Sequence, residues 1–202
     1  KAEQKAYSRL GEYRLLKEHN PELVIGFCGC VAQQEGERAL KRIPELDFVL
    51  GTGRISELGA VVGRIRGGSR EVVTGFPATP DYDPDSISRG GAFKGMVTVV
   101  EGCNKKCTFC IVPTTRGPER CRPLEDIVRE VEHLIDYGYV EIELLGQTVN
   151  HWCQVDATGS RLDFAGLINA LAPLAGLRRL RFVTSYPRDF TPAMVNCFAE
   201  HE

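Results

Sequence analysis

Three cysteines packed into eight residues constrain this chain more than any other sequence feature. Cys103, Cys107 and Cys110 are separated by three and then two residues, so their sulfurs can turn inward on one tight loop. An iron–sulfur cluster held by cysteines normally uses four thiolates, and a cubane on three thiolates keeps one iron free for a substrate or cofactor. The loop therefore predicts a metal centre with an open coordination position.

Two other uses of these cysteines are less consistent with the sequence than a cluster. Zinc takes four ligands in a structural site, and Cys121 is the available fourth, but no second CxxC or HxxxH pair follows the loop. A disulfide framework is less favoured, because the eight cysteines are unevenly scattered in a chain of 202 residues and no secretory segment is recognisable. We expect a reducing, cytoplasmic location. The remaining cysteines are expected to be small buried hydrophobic residues: Cys28, Cys121, Cys153 and Cys197.

Composition is ordinary, with 43% hydrophobic and 26% charged residues. No apolar run approaches the roughly 18 residues of a membrane span, so no membrane partner is expected. The net charge of −2 gives no overall indication of nucleic-acid binding. Five basic residues nevertheless gather at the cysteine loop, where they suit RNA or a cofactor carboxylate: Lys105, Lys106, Arg116, Arg120 and Arg122. Lys105 and Lys106 also favour thiolate over thiol, with solvated surface lysines as the alternative.

Hydrophobic periodicity predicts alternating strands and helices, and hence parallel α/β layers. In the first part, strands are expected at 23–28 and 48–50 and helices at 1–18, 32–41 and 55–65. In the second part, strands are expected at 96–100, 140–145 and 180–184 and helices at 123–138, 162–171 and 192–199. Three strand–helix units with a reactive loop after the first strand match an incomplete (β/α) barrel. The turn-rich residues 76–92 are the expected linker between domains 1–75 and 93–202.

Four ordered blocks carry a family resemblance. They are GCVAQQEGE at 29–37, VEGCNKKCTFCIVPTTRGPERCRP at 100–123, ELLGQTVN at 143–150 and TSYPRDFT at 184–191. With them the chain resembles the radical S-adenosylmethionine methylthiotransferases. The resemblance implies a flavodoxin-like N-terminal methylthiotransferase domain, incomplete here, followed by a partial radical (β/α) barrel. The RNA-binding TRAM domain of the family is expected to be absent from this chain.

The resemblance also implies ligand sets for two 4Fe-4S clusters. Cys103, Cys107 and Cys110 would hold the cluster that binds S-adenosylmethionine, with Phe109 beside the adenine. Cys30 matches one ligand of an auxiliary cluster, whose other two cysteines are expected upstream of Lys1. That auxiliary cluster would carry the sulfur to be inserted.

Further cofactor contacts are implied at the strand ends. Gly146 and Gln147 follow the second strand, where the superfamily's glycine-rich motif lines the methionine end of the cofactor; a plain turn is the alternative. Arg116 is a candidate for a cofactor carboxylate or substrate phosphate, or for a surface ion pair with Glu119. Ser185 is expected to approach the cofactor from the third strand. The pair His151–Trp152 is more typical of packing than of catalysis.

The function implied is insertion of a methylthio group at C2 of N(6)-isopentenyladenosine, next to the anticodon of tRNA, by radical chemistry. Its partners would be the tRNA anticodon stem-loop and an electron donor such as flavodoxin or ferredoxin. Two alternatives keep the chemistry and change the substrate, to a ribosomal-protein aspartate or to threonylcarbamoyl-adenosine in tRNA. A third alternative is a non-catalytic metal-binding module.

Overall fold

The computed structural model describes residues 2–66, 68–77, 93–156 and 158–201. The chain divides into two compact units, Lys1–Asp81 with Cys107–Gly117 and Tyr82–Lys106 with Pro118–Glu202. Most of the expected linker lies outside the described residues, so the domain limits remain a prediction. In the structure, the segment Cys107–Gly117 belongs to the first unit, although it lies within the expected second domain in sequence.

The first unit is a parallel three-stranded sheet with helices. Its strands, in sheet order, are β1 (Gly26–Cys28), β2 (Phe48–Leu50) and β3 (Glu71–Val73). Its helices are α1 (Ala2–His19), α2 (Cys30–Glu35), α3 (Glu37–Arg42), α4 (Leu58–Ile65) and α5 (Val112–Arg116). A 3-10 turn, Thr52–Glu57, precedes α4. The parallel α/β class expected from the sequence is confirmed.

Three details of the first unit correct the sequence-based expectations. The single helix expected at 32–41 is two helices, because Gly36 between them adopts a φ of 51°, which a right-handed helix cannot contain. The strand expected at 23–28 is confined to its last three residues. The hydrophobic period of residues 1–18 predicts a packed face of Ala6, Leu10, Tyr13 and Leu15/Leu16. In the structure only Tyr7 and Leu10 of α1 are buried, and Tyr13, Leu15 and Leu16 are exposed.

The second unit is built on another parallel sheet. Its sheet order is β10 (Arg179–Phe182), β7 (Glu141–Leu145) and β4 (Lys94–Thr98). Two short antiparallel pairs accompany it: β5 (Val100–Glu101) with β6 (Arg120–Cys121), and β8 (Cys153–Val155) with β9 (Arg161–Asp163). Its helices are α6 (Leu124–Asp136), α7 (Phe164–Leu171) and α8 (Pro192–Glu200). None of the described helices is both long and apolar enough to cross a membrane.

The two faces of this sheet differ in chemistry. On β7, Ile142 and Leu144 are fully buried in a core shared with α6 and α7. The intervening Glu141 and Glu143 point to the other face, as the two-residue period of a strand requires. There Glu141 pairs with Arg179 and Arg181, and Glu143 pairs with Lys94. Sequence reasoning treated β7 only as an apolar strand and missed this charged layer.

The strand expected at 96–100 is interrupted, and this interruption shapes the neighbouring segments. Val99 donates its amide to the Leu145 carbonyl (2.8 Å) and accepts the Arg122 amide (2.9 Å). After Val99 the chain leaves the parallel sheet and pairs with β6 instead. The segment that enters the cysteine loop is thereby fixed to the segment that leaves it.

A buried ion pair secures the start of α6. Arg122 and Glu130 are 5% and 2% exposed, and Arg122 Nη1 lies 2.6 Å from Glu130 Oε2. Arg122 also donates to the Thr98 carbonyl at 2.8 Å. A buried charge that loses its partner is strongly destabilising.

We predict that Glu130→Ala lowers the free energy of unfolding by about 3–5 kcal/mol, because it leaves the Arg122 guanidinium buried without its carboxylate. The double variant Arg122→Met/Glu130→Leu should recover at least half of that loss. Asp126→Ala on the same helix removes an exposed pair with Arg129 and should cost about 1 kcal/mol or less. Denaturant unfolding measures all three, and equal losses for Glu130→Ala and Asp126→Ala would contradict the prediction.

Candidate functional site

The candidate site of the second unit lies where its parallel strands end. In such sheets the loops after the strands build sites. The loop after β7, residues 146–150, follows the central strand of the sheet. It makes hydrogen bonds to the segment entering the cysteine loop and to the loop after β10.

Gly146 and Gln147 brace the entry to the cysteine loop. Gln147 Oε1 accepts the Gly102 amide at 2.7 Å. A Cβ on Gly146 would lie 2.4 Å from Val100 Cγ1 and 3.1 Å from the Val100 carbonyl oxygen, so only glycine allows the two segments to approach this closely. These residues therefore do more than form a turn. Their expected contacts with a cofactor remain a prediction.

Cys103 is the buried member of the three-cysteine set. It is 7% exposed, and its Sγ lies 3.1 Å from Thr148 Oγ1 and accepts the Lys105 amide at 3.4 Å. These two contacts, both within the second unit, fix the position of the Cys103 sulfur.

Cys107 and Cys110 lie in the first unit, on an exposed turn closed by a 3.1 Å hydrogen bond from the Cys110 amide to the Cys107 carbonyl. Phe109 between them is fully exposed. Helix α5 follows this turn and packs against α2, whose first residue is the exposed Cys30. The two cysteines and the expected auxiliary-cluster ligand therefore sit on neighbouring elements of one unit.

Cys28 corrects an expectation. It was expected to be buried, but it is exposed. β1 is an edge strand on which only the middle residue, Phe27, faces the core, so the side chain of Cys28 points away from it. Cys197 is buried as expected, whereas Cys121 and Cys153 are half-buried.

The loop after β10 is held by Asn150. This side chain is buried, donating to the Tyr186 carbonyl at 2.9 Å and accepting the Tyr186 amide at 2.8 Å. Thr184 adopts a φ of 66°, unusual for a β-branched residue, and its hydroxyl donates to the Gly146 carbonyl at 2.5 Å. Ser185 follows it and is exposed.

Lys105 ties the cysteine loop to the same segment. Its ammonium pairs with Asp189 and lies 5.0 Å from the centre of the Tyr186 ring. The bond to Asp189 raises the pKa of Lys105, which keeps it charged. The sequence offered two roles for Lys105, a solvated surface lysine or a cation that favours a cysteine thiolate. In the structure its ammonium instead pairs with Asp189. Lys106 is exposed.

Sequence reasoning missed a buried carboxylate beside this loop. The Glu119 side chain is 7% exposed, and its Oε1 lies 2.5 Å from His151 Nδ1. The Glu119 amide donates to Asn104 Oδ1 at 3.0 Å. Glu119 was expected on the surface beside Arg116 as an ion-pair alternative, and its burial against His151 corrects that alternative. Trp152 is packed in the core as expected, donating its indole N–H to the Arg122 carbonyl at 2.9 Å.

The donor chemistry fits a cluster held by three thiolates. All eight cysteines are free thiols, and the loop supplies one oriented sulfur at Cys103 and two exposed ones at Cys107 and Cys110. Within the described ranges, no three His, Cys, Asp or Glu side chains converge closely enough to hold one metal ion. A preformed four-ligand zinc site is therefore not found among these residues.

We predict that Asn150→Ala releases the loop after β10. It leaves the amide and carbonyl of Tyr186 without their buried partner, which should cost about 2–4 kcal/mol. Hydrogen exchange of the Tyr186 amide should become at least ten times faster. Asn169→Ala, an exposed asparagine on α7 that contacts His201 and Cys197, is the matched control and should leave that exchange unchanged. Unchanged exchange in Asn150→Ala would show that this side chain does not hold the loop.

Comparison with known proteins identifies similarity in both parts of the chain. Residues 97–200 match the Radical SAM superfamily, and residues 1–51 match Uncharacterized protein family UPF0004. Three similar proteins are named tRNA-2-methylthio-N(6)-dimethylallyladenosine synthase. The one from Neisseria meningitidis serogroup C is 42% identical over 99% of this chain and 46% of its own length. Those from Methylococcus capsulatus and Syntrophus aciditrophicus are 42% and 39% identical, over 99% of this chain and 44% and 43% of theirs.

A solved structure shares the fold. The radical S-adenosylmethionine methyltransferase TsrM from Kitasatospora setae, solved with tryptophan and a SAM analogue, superposes with a TM-score of 0.57. The alignment covers 94% of this chain and 42% of that one, at 16% identity. The chain spans less than half the length of these curated relatives.

Proposed function

We propose, from the premise that the chain belongs to the radical SAM superfamily, that it is part of a tRNA methylthiotransferase. The reaction would insert a methylthio group at C2 of N(6)-isopentenyladenosine next to the anticodon. The names of the similar proteins support this substrate, at 39% to 42% identity over 99% of the chain. The match at residues 1–51 is consistent with a piece of a second, N-terminal domain.

The observation that best supports the proposal is the spacing of the three cysteines in the sequence, together with the oriented sulfur of Cys103. Cys103, Cys107 and Cys110 would hold a 4Fe-4S cluster, which when bound supplies the electron for reductive cleavage of S-adenosylmethionine. Within the protein, Thr148 and the Lys105 amide orient the Cys103 sulfur. Gln147 fixes the backbone just before it. These contacts would limit the reorganisation of the loop around the cluster.

The residues proposed to contact S-adenosylmethionine are those whose side chains are exposed or keep a free polar group. The exposed Phe109 ring offers a face on which an adenine can stack. The amide nitrogen of Gln147 takes no part in its bond to Gly102, and Gly146 lies beside it. Ser185 is exposed after the strained Thr184, and Arg116 is a cation for a carboxylate or phosphate.

We also propose an auxiliary cluster, an RNA substrate and an electron donor. Cys30 would supply one ligand to a second 4Fe-4S cluster, from its exposed position at the start of α2. The substrate would be the tRNA anticodon stem-loop, since proteins usually read RNA bases in single-stranded loops, where a base can be splayed from its stack. A flavodoxin or ferredoxin would donate electrons, in the cytoplasm.

Nucleoside mass spectrometry tests the substrate. Deletion of the gene encoding this chain should remove 2-methylthio-N(6)-isopentenyladenosine from bulk tRNA and accumulate the unthiolated nucleoside. Restoring the gene should restore the modified nucleoside. An unchanged profile would overturn the tRNA assignment in favour of the ribosomal-protein aspartate, and loss of the thiolated threonylcarbamoyl-adenosine would overturn the choice of base.

Substitution tests the cluster ligands in the cluster-loaded full-length protein. Cys107→Ala should abolish cleavage of S-adenosylmethionine and the change that this cofactor causes in the electron-spin spectrum of the reduced cluster, because one iron ligand is lost. Cys197→Ala, in the core of the second unit, should retain both. Cleavage at the parental rate by Cys107→Ala would rule out the ligand assignment.

A further inference from the structure

Two cysteines that the proposed chemistry does not use contact each other. The Cys153 amide donates to Cys121 Sγ at 3.4 Å. Both belong to the second unit, and both are half-buried rather than enclosed. This contact brings the Cys121 sulfur against the backbone of Cys153, the kind of close approach that a disulfide between two cysteines requires.

The surrounding contacts hold this approach in place. Trp152 Nε1 donates to the Arg122 carbonyl at 2.9 Å, and the Leu124 amide donates to Gln154 Oε1 at 2.7 Å. Residues 121–124 and 152–154 therefore meet through three successive contacts, of which the cysteine pair is the first. Closing a bond between the sulfurs would require side-chain rotation and no separation of these segments.

We propose that Cys121 and Cys153 form a reversible intramolecular disulfide, a modification site that exchanges with low-molecular-weight disulfides such as oxidised glutathione. The site is independent of the function proposed above. It uses none of the expected cluster ligands.

The exchange takes two balanced steps. Burial raises the pKa of the Cys121 thiol to about 11, which disfavours its thiolate, so we assign Cys121 to the second step. The Cys153 thiolate attacks one sulfur of oxidised glutathione, breaks its S–S bond, forms a mixed disulfide and releases one glutathione thiolate, which takes up a proton. Cys121 then loses its proton as it attacks the Cys153 sulfur and releases the second glutathione. Two protein thiols are oxidised by two electrons, and one glutathione disulfide is reduced to two thiols.

The disulfide would act on the segments beside the cysteine loop. Cys121 is paired in register with Val100, and β5 leads directly into Gly102 and Cys103. Cys153 follows the loop after β7 through His151 and Trp152. A covalent bond between them would join the segment leaving the cysteine loop to the segment leaving the bracing loop. Oxidation would thus stiffen this region without altering a cluster ligand.

Peptide mapping of the cluster-loaded full-length protein tests the proposal. The protein is incubated anaerobically with oxidised glutathione, alkylated and digested with trypsin, which separates the two cysteines at Arg129. We expect peptides 121–129 and 130–161 to appear joined, two hydrogens lighter than their sum, and to separate after reduction. Hydrogen exchange across 118–124 and 150–155 should slow several-fold on oxidation.

Three single variants make the result specific. Cys121→Ser should stop at a glutathione adduct on Cys153, and Cys153→Ser should give no joined peptide. Cys197→Ser, which removes a thiol bonded to Ala193 and Asn169 in the same unit, should form the joined peptide as the parent does. A parent protein that stops at the mixed disulfide, or whose cysteines 121 and 153 are both alkylated, overturns the proposal. The proposal is also overturned if peptide 121–129 or 130–161 is joined to a different cysteine peptide in a yield equal to that of the 121–129/130–161 pair.

Discussion

The central place of β7 in its sheet is the constraint on which the candidate site of the second unit depends. A loop that follows the middle strand can reach the loops of both neighbours, which a loop after an edge strand cannot. Residues 146–150 use this position fully, through Gln147 toward Gly102 and Asn150 toward Tyr186. Gly146 supplies the space that this requires at Val100. One pentapeptide therefore sets two loops whose residues are far apart in sequence.

Two kinds of buried interaction hold the segments that carry these loops: apolar packing and hydrogen-bonded polar groups. Ile142 and Leu144 anchor β7 in the apolar core through surface removed from water, which is strong but not directional. The Arg122–Glu130 pair and the Trp152 indole fix orientation, because each buried polar group requires a partner in a defined direction. Together they hold the segment 121–124 between the core and β8. Within the second unit, the segments on both sides of the cysteine loop are thus anchored, residues 99–102 before it and 121–124 after it.

The sequence predicted what local patterns encode. Apolar strands such as Phe48–Leu50 were found because a few adjacent residues determine them, as was α6 with its acidic first turn. β3, β5, β6, β8 and β9 were missed because each has only two or three residues, at least one of them charged or polar, and so shows no hydrophobic period. Glu119 looked like a surface charge, and its burial against His151 could not be read from a glutamate flanked by proline and arginine. The three cysteines were evident from spacing alone, whereas the contact of Cys103 with Thr148 required the fold.

The contacts also sort the basic residues around the loop by their availability to a ligand. Lys105, Arg120 and Arg122 are paired with Asp189, Glu101 and Glu130, and breaking such pairs to meet an anion would leave carboxylates unpartnered. Among the described residues, no carboxylate lies within ion-pair distance of Lys106 or Arg116. Because three of the five basic side chains are neutralised by carboxylates, the positive potential at the loop is weaker than that of five unpaired cations. Lys106 and Arg116 are therefore the two of these five side chains that could meet an anion without breaking an ion pair.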